Sequence, residues 1–546
     1  MNNTFQSIPH RGFAACLIAL MAAVPLVAQN NPDPASELFG DTIDVRVVNL
    51  EVVVEKRGDR INGLTAEDFE LTVDGQPVPI EFFTEVRGGT AVPSAAPTSS
   101  DATVPALAPG ESIGTRYLVF IDDLFTIKPY RNRVLKRLQE DLSFIGPDDS
   151  MAIVAYNGTS IDLLSTWSQS HRALKSALRT AENRTSRGLQ YRSLQRLDDN
   201  FRFSNRRFGR NFPGSGAYPG QRAYADISEL VDAAASTLRA FAQPEGRKTM
   251  LLISGNWPPV FTRFGFEDLA SYAGSQRYGF FTPLIDTANR LGYTVYPVDA
   301  ASTDRQVVDA SVGSIAEANF TRAVERDREF VQESSLVDIA DQTGGRALLD
   351  GASRHALARV FEDTRSYYSI GFTPIWRAND ERHSVDIDVP GLRGAKVRLR
   401  RSFTDLSAGT EATMRLESAQ LFDLPLPSAG QLTASFGEPK DEGWRKVVVP
   451  LQVQIPLDLV TKLPVEGGWA SRLELRVAVT DDRGDRADIP VVPVVLQGET
   501  APTSGATETF VTYLKIRERP HKVFISLVDA TSGEELSTRL DIDFKT

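Results

Sequence analysis

From Arg116 to Arg365 the chain alternates apolar, strand-like runs with helix-periodic segments, and this alternation restricts the fold more than any other feature. It opens with Thr115–Thr126, TRYLVFIDDLFT. Tyr117–Ile121 is continuously apolar and short, as a strand buried on both faces must be. It delivers Asp122 and Asp123 to its carboxyl end, where ligands sit in open α/β sheets. Pro129–Ile145 follows, with Val134, Leu135, Leu138, Leu142 and Ile145 on one helical face. Met151–Tyr156 is a second apolar strand and Ile161–Thr166 a short edge strand. His171–Glu182, Asp226–Phe241, Pro283–Leu291, Leu336–Thr343 and His355–Arg365 have helical spacing. Lys248–Ser254, Thr294–Val298 and Arg346–Leu349 have strand composition. Strands separated by helices predict a Rossmann-type, doubly wound parallel sheet over 115–366.

The flanks read differently. Residues 42–86 form a small β unit, with Asp74-Gly75 as a hairpin signal between Glu70–Val73 and Val78–Phe83. Residues 87–114, rich in Ala, Pro, Ser and Thr, are a linker. Strand patterns return in 367–403. Neither flank alone has enough strands for a core, so the two are expected to pair around the α/β segment. After a loop at Thr404–Thr413, residues 414–546 show only strand signals, spaced as in a β-sandwich. A chain of 546 residues is too long for one core, so a multidomain protein with all-β sandwiches around an α/β domain is expected.

Residues 1–28 carry Arg11 and then the apolar run Phe13–Val27. Its fifteen residues suit a signal-peptide core better than a membrane span. Cleavage after Ala28 or retention as an anchor both fit; no other run reaches spanning length. The protein is therefore read as exported, periplasmic or secreted, without a membrane span once the signal is removed. The single cysteine, Cys16, lies in that run, so the mature chain has no disulfide, thiolate nucleophile or Cys-bound zinc. A net charge of −11 argues against a general polyanion binder, and the exported location argues against a nucleic-acid partner.

Several segments together resemble a known family. VVNLEVVVEKRGDRINGLTAEDFELTVDGQPVPIEFF (Val47–Phe83) resembles the opening of the VWFA-related domain family described from Acidobacteria, with its G-L-T-x-x-D-F and D-G features. LSTWSQSHRALKSAL (Leu164–Leu178) and GRKTMLLISGNW (Gly246–Trp257) resemble its next two segments. LVDIADQTGGRALLD, RSYYSIGFTP and RHSVDIDV are similar to its closing run. The resemblance spans Val45–Phe403 and implies a von Willebrand factor A-like (VWA-like) α/β domain in an exported protein, with no assigned reaction.

VWA domains often hold Mg²⁺ through a D-x-S-x-S loop, a distant Thr and a distant Asp, so the resemblance makes Asp122 the first ligand. Mg²⁺ requires oxygen ligands in octahedral geometry. Here the loop reads Asp122-Asp123-Leu124-Phe125-Thr126. Thr126 can stand for the second Ser, but Leu124 cannot ligate. The usual S-D-G is Ser254-Gly255-Asn256, and near Gln221–Tyr224 no Thr is found. Asp122, Asp123, Thr126, Ser254 and Asn256 are therefore the candidate binding rim of a degenerate metal-ion-dependent adhesion site. No cofactor is expected, with Mg²⁺ the ion an intact site would take.

Phosphate-loop, H-E-x-x-H and G-x-S-x-G motifs are absent, and His171, His355, His383 and His521 lie far apart in sequence. Asn183–Arg222 interleaves nine arginines with aromatics. Arg202, Arg206, Arg207, Arg210 and Phe208 are its contact candidates for an anionic partner, against the plainer reading of a solvated loop. A second insertion, 302–335, is polar and helix-like. The expectation is a non-enzymatic protein-protein interaction or envelope-assembly module. The alternative is an extracytoplasmic metal-dependent hydrolase using Asp122 and Asp123.

Overall fold

The computed structural model describes residues 47–92, 110–191, 193, 217–242 (backbone only for 217–224), 246–255, 281–300, 335–349, 355–426, 431–484, 486–487 and 489–544. The expected signal peptide, most of both insertions, the five named contact candidates of the first insertion and Asn256 lie outside these residues. No helix among the described residues is long and apolar enough to cross a membrane.

The alternating region builds one five-stranded sheet. In chain order its elements are β1 (Thr115–Asp122), α1 (Lys128–Asp141), β2 (Ser150–Tyr156), β3 (Ile161–Ser168), α2 (His171–Asn183), α3 (Ala217–Ala240), β4 (Arg247–Ser254), α4 (Thr282–Arg290), β5 (Tyr293–Asp299) and α5 (Ala356–Thr364). The strand order is β5-β4-β1-β2-β3. Strands β5, β4, β1 and β2 run parallel, and β3 is an antiparallel edge. The expected strand at Arg346–Leu349 reduces to a single parallel bridge, Val298 to Leu348. Strand β1 is apolar throughout because both its faces are covered. Tyr117, Val119 and Ile121 pack with α1, α2 and α5. Leu118 and Phe120 pack with α3 and α4. Helix α3 begins nine residues before the expected Asp226, at Ala217.

Val48–Lys56 pairs antiparallel with Tyr367–Phe372, which in turn pairs with Phe82–Arg87. Glu70–Val73 pairs with Arg382–Asp388 in a facing sheet. Between the two sheets lie Leu50, Val52, Phe69, Leu71, Tyr368, Ile370, Val385 and Ile387. The Asp74-Gly75 turn forms with both residues at positive φ, 50° and 74°, as a type I′ turn requires. Its second arm is short. Gln76–Pro77 pairs back and the Val78 N–H donates to the Leu71 carbonyl at 3.0 Å, but Pro79 lacks the N–H that a longer ladder needs. The chain then crosses to the other sheet. The two ends of the 87–114 stretch meet: Gly110 donates to the Ala91 carbonyl at 3.0 Å and Ile113 to that of Gly89 at 3.0 Å.

The expectation of strands alone from Met414 onward is corrected by a helix, Ala408–Phe422. Ser407 caps it, accepting from the Thr410 N–H at 3.2 Å, while Asp380 accepts from the Ser407 and Thr410 hydroxyls at 2.7 and 2.8 Å. Leu416 and Ala419 pack on Ala478 and Phe524, and Ser418 and Glu417 bond to α3 residues Ala240 and Arg239. The remaining tail forms two facing sheets. One contains Lys446–Pro456 and Thr507–Arg517, the other Gly468–Asp481, Val491–Gly498 and His521–Asp529. Leu451, Val453, Leu475, Val523 and Ile525 lie between them.

Candidate functional site

The chain passes from β1 to β2 and β3 on one side, and later to β4 on the other. The sheet's switch point therefore lies at the carboxyl ends of β1 and β4, where a ligand crevice forms in open α/β sheets. Asp122 closes β1 and Ser254 closes β4, and the register brings them together.

Asp122 is fully buried. Its Oδ1 accepts from the backbone N–H of Leu124 at 2.8 Å and of Phe125 at 3.0 Å. Its Oδ2 accepts from the Ser254 hydroxyl at 2.5 Å. All three donors are neutral. Burial therefore dominates and pushes the carboxyl up to about 6, against the pull of Ser254, Phe125 and Leu124 and with the neighbouring Asp123 charge adding to the rise. The Thr126 hydroxyl donates to the Asp122 carbonyl at 2.5 Å.

Asp123 points the other way, into two guanidinium groups. Fully buried Arg131, from α1, donates Nη1–H to Oδ1. Arg184, just after α2, donates Nε–H to Oδ2 at 2.5 Å and also bonds Asp162 of β3 at 2.6 Å. Arg131 reaches on to the Arg184 carbonyl at 2.9 Å. The Asp123 backbone is held as well: its N–H donates to the Tyr156 carbonyl at 2.8 Å, and its carbonyl accepts from the Arg187 N–H at 2.8 Å.

The loop is stapled from outside. Gly188 N–H and the Ser186 hydroxyl both donate to the Thr126 carbonyl. Gly188 lies so close that a Cβ there would stand 2.4 Å from the carbonyl oxygens of Phe125 and Thr126. Gly255 presses on the same loop, and a Cβ would stand 2.0 Å from the Phe125 oxygen. Phe125 packs edge-on against Tyr191 at 4.6 Å, and Tyr191 donates to Asp226 of α3. Leu124 is buried against Gly158. The switch-point crevice is thus filled by the chain's own 123–127 loop, with segment 184–191 laid across it.

Of the rim residues expected from sequence, Asp122, Asp123, Thr126 and Ser254 come together here. Asp122, Thr126 and Ser254 share one hydrogen-bonded knot, and Asp123 belongs to a second, ionic one. Arg131 and Arg184 escaped the sequence reading. Arg131 faces inward from a helix counted only for its apolar residues. Arg184 is the first arginine of the insertion expected to face a partner, and it turns inward to Asp123 instead. Three oxygen groups suited to a hard cation, the Asp122 carboxylate and the Thr126 and Ser254 hydroxyls, lie within one hydrogen-bonded set. Leu124 occupies the position where an intact loop would add a fourth. Among the described residues no cluster of three or more His, Cys, Asp or Glu side chains has metal-binding geometry.

The fold defines a mixed α/β, strand-rich, multi-sheet protein. No family model matches the chain, and no curated protein matches it. Likenesses among solved structures are faint. A calcium-binding mutant of Bacteroides uniformis β-glucuronidase 2 is 12% identical over 21% of this chain and 13% of that one, with a TM-score of 0.14. The chain thus spans only a small part of that protein's length. The SpRpn10 VWA domain is 8% identical over 35% of this chain and 90% of that one, also at a TM-score of 0.14. Neither likeness carries a functional argument.

Proposed function

We propose that this is an exported VWA-like protein acting as a protein-protein interaction or envelope-assembly module, with a degenerate metal-ion-dependent adhesion site. The observation that carries the reading is the saturation of the rim carboxylates. Asp122 is engaged by three neutral donors and Asp123 by two guanidinium groups. A metal at Asp122 would have to displace the Ser254 hydroxyl or the backbone N–H groups, with Leu124 offering no replacement ligand. Such a rim supports the loops above it as a contact surface without itself completing a metal shell. The Arg-rich insertion, which leaves the rim after Gly188, is the contact element for an acidic partner.

The test is in-envelope crosslinking of the full chain, with and without a chelator and with residues 194–216 deleted. That deletion spares Arg184 and Gly188. A specific partner retained in chelator and lost on deletion supports the proposal. Partner capture that needs a divalent ion, together with ion bound to the purified protein and lost in Asp122→Ala, would replace it with a metal-dependent activity.

A further inference from the structure

We propose that the chain pairs with a second copy of itself through the strand Thr507–Arg517. Its inner neighbour, Lys446–Pro456, is already flanked on its other side by Thr433–Phe436 and Lys440–Gly443. The far edge of Thr507–Arg517 therefore has no strand partner among the described residues. The strand is eleven residues long and pairs in continuous register from Thr507·Pro456 to Arg517·Lys446. It contains no Pro, Gly or bulge, and its charged residues, Glu508, Lys515 and Arg517, stand toward its two ends, with Lys515 paired to Glu442 of the same sheet. Exposed edges are usually blunted by such devices, because their unpaired N–H and C=O groups template association. Other edges of this molecule have them: Pro493 interrupts Val491–Gly498, and shifts in register break β3 from β2.

The edge also presents apolar side chains. Val511 is 43% and Tyr513 66% exposed on the outer face. Phe510 and Leu514, on the inner face, are only partly covered by the sandwich core.

The strand's own sequence selects the occupant. Laid antiparallel on a copy of itself about Thr512, it sets Val511 opposite Tyr513 twice and Phe510 opposite Leu514 twice. Aromatic pairs with β-branched or aliphatic residues are favoured across strands. Lys515 then faces Thr509, Arg517 faces Thr507 and Glu508 faces Ile516, so no like charges oppose. Parallel pairing in register would instead set Lys515 on Lys515 and Arg517 on Arg517. The two-fold arrangement is isologous, so it closes at a dimer and does not propagate. It also continues the inner apolar face from one sandwich into the other.

The test is sedimentation equilibrium of the full chain over a wide concentration range, with Val511→Lys as the interface variant. Its side chain points to solvent, so folding is preserved, and circular dichroism checks this. A reversible monomer–dimer equilibrium is expected, with the association constant falling at least tenfold in the variant. Register is read by mixing Val511→Cys with Tyr513→Cys chains, each with Cys16→Ala. Mixed disulfide dimers should form faster than either chain forms with itself. A chain monomeric at every concentration, a dimer unmoved by Val511→Lys, or crosslinking without preference for the mixed pair would each overturn the proposal.

Discussion

Two buried aspartates in the α/β layer, Asp122 and Asp363, are alike in burial and opposite in behaviour. Asp122, at the end of β1, meets only neutral donors. Asp363, in the last turn of α5, meets cations. Arg398 donates to its two oxygens at 2.7 and 3.0 Å, Arg60 forms an ion pair with it, and the Tyr296 hydroxyl donates at 2.6 Å. Burial raises both carboxyls. At Asp363 the guanidinium charges of Arg398 and Arg60 outweigh it and hold the group at about 2, whereas at Asp122 burial wins and the group stands at about 6. Between these two groups partner charge sets the sign, although at Asp123 burial still outweighs two guanidinium groups and raises the carboxyl. The difference also divides labour. Asp363 ties the α/β layer to strands from both flanks, through Arg60 and Arg398, while Asp122 shapes a loop within one layer.

The largest effect is expected from Asp363→Ala. It leaves two cations in the interior without their main counter-charge, and a loss of about 3–5 kcal/mol is expected in urea unfolding. Asp122→Asn should be nearly silent at low pH, because the amide keeps the acceptor for Leu124 and Phe125. Asp122 has a folded pKa above its unfolded 3.8, so its contribution is full below 3.8 and is lost as pH rises through about 6. Wild-type stability should therefore fall by about 3 kcal/mol across that window relative to the Asn variant. Asp363 has the opposite sign: its contribution is full above 3.8 and is lost as pH falls toward about 2. Urea midpoints of wild type, Asp122→Asn and a milder Asp363→Asn variant, followed from pH 2 to 7, would show the two slopes; equal slopes would mean that partner charge does not separate these two groups.

Gly255→Ala tests the packing of the filled crevice. Its methyl group meets the Phe125 carbonyl, and about 1–3 kcal/mol of destabilisation is expected in thermal unfolding. A neutral result would mean that the loop can yield, leaving room for a ligand. The smallest effect is the Asp123–Arg184 coupling. A double-mutant cycle to Ala should give about 1–2 kcal/mol, because Arg184 also serves Asp162 and Asp123 retains Arg131.

How much of this was legible varied with the locality of the signal. Strand β1 announced itself as an unbroken apolar run, and the Asp74-Gly75 turn as a dipeptide suited to positive φ. Both are local. The meeting of Asp122 with Ser254 was legible as well, since both stand at the ends of strands in one sheet. The helix Ala408–Phe422 was missed because it is wedged between α3 and the C-terminal sheets. Its buried face, Gly409, Ala412, Leu416, Ala419 and Gln420, carries only one large apolar residue, and Met414 is buried on another side, so the helical period is faint in apolar contrast. The partners of Asp123 were missed for a different reason. Arg131 and Arg184 lie 8 and 61 residues away, and nothing in an arginine's neighbours says whether it turns inward.

The pairing of Phe82–Arg87 with Tyr367–Phe372 has a consequence for how the molecule is divided. Val86 lies directly opposite Tyr367, so everything between them leaves and returns through a single stem. The α/β layer is, in this sense, a graft on a β-hairpin. Replacing 87–366 with a two-residue Asn-Gly turn would rejoin the adjacent strands in their present register, closed by the Val86–Tyr367 pair. The shortened chain would keep the apolar residues around Leu50 and Tyr368, but Arg60 and Arg398 would lose Asp363. Neutralising those two arginines together with the excision is the modification such a minimal scaffold would need.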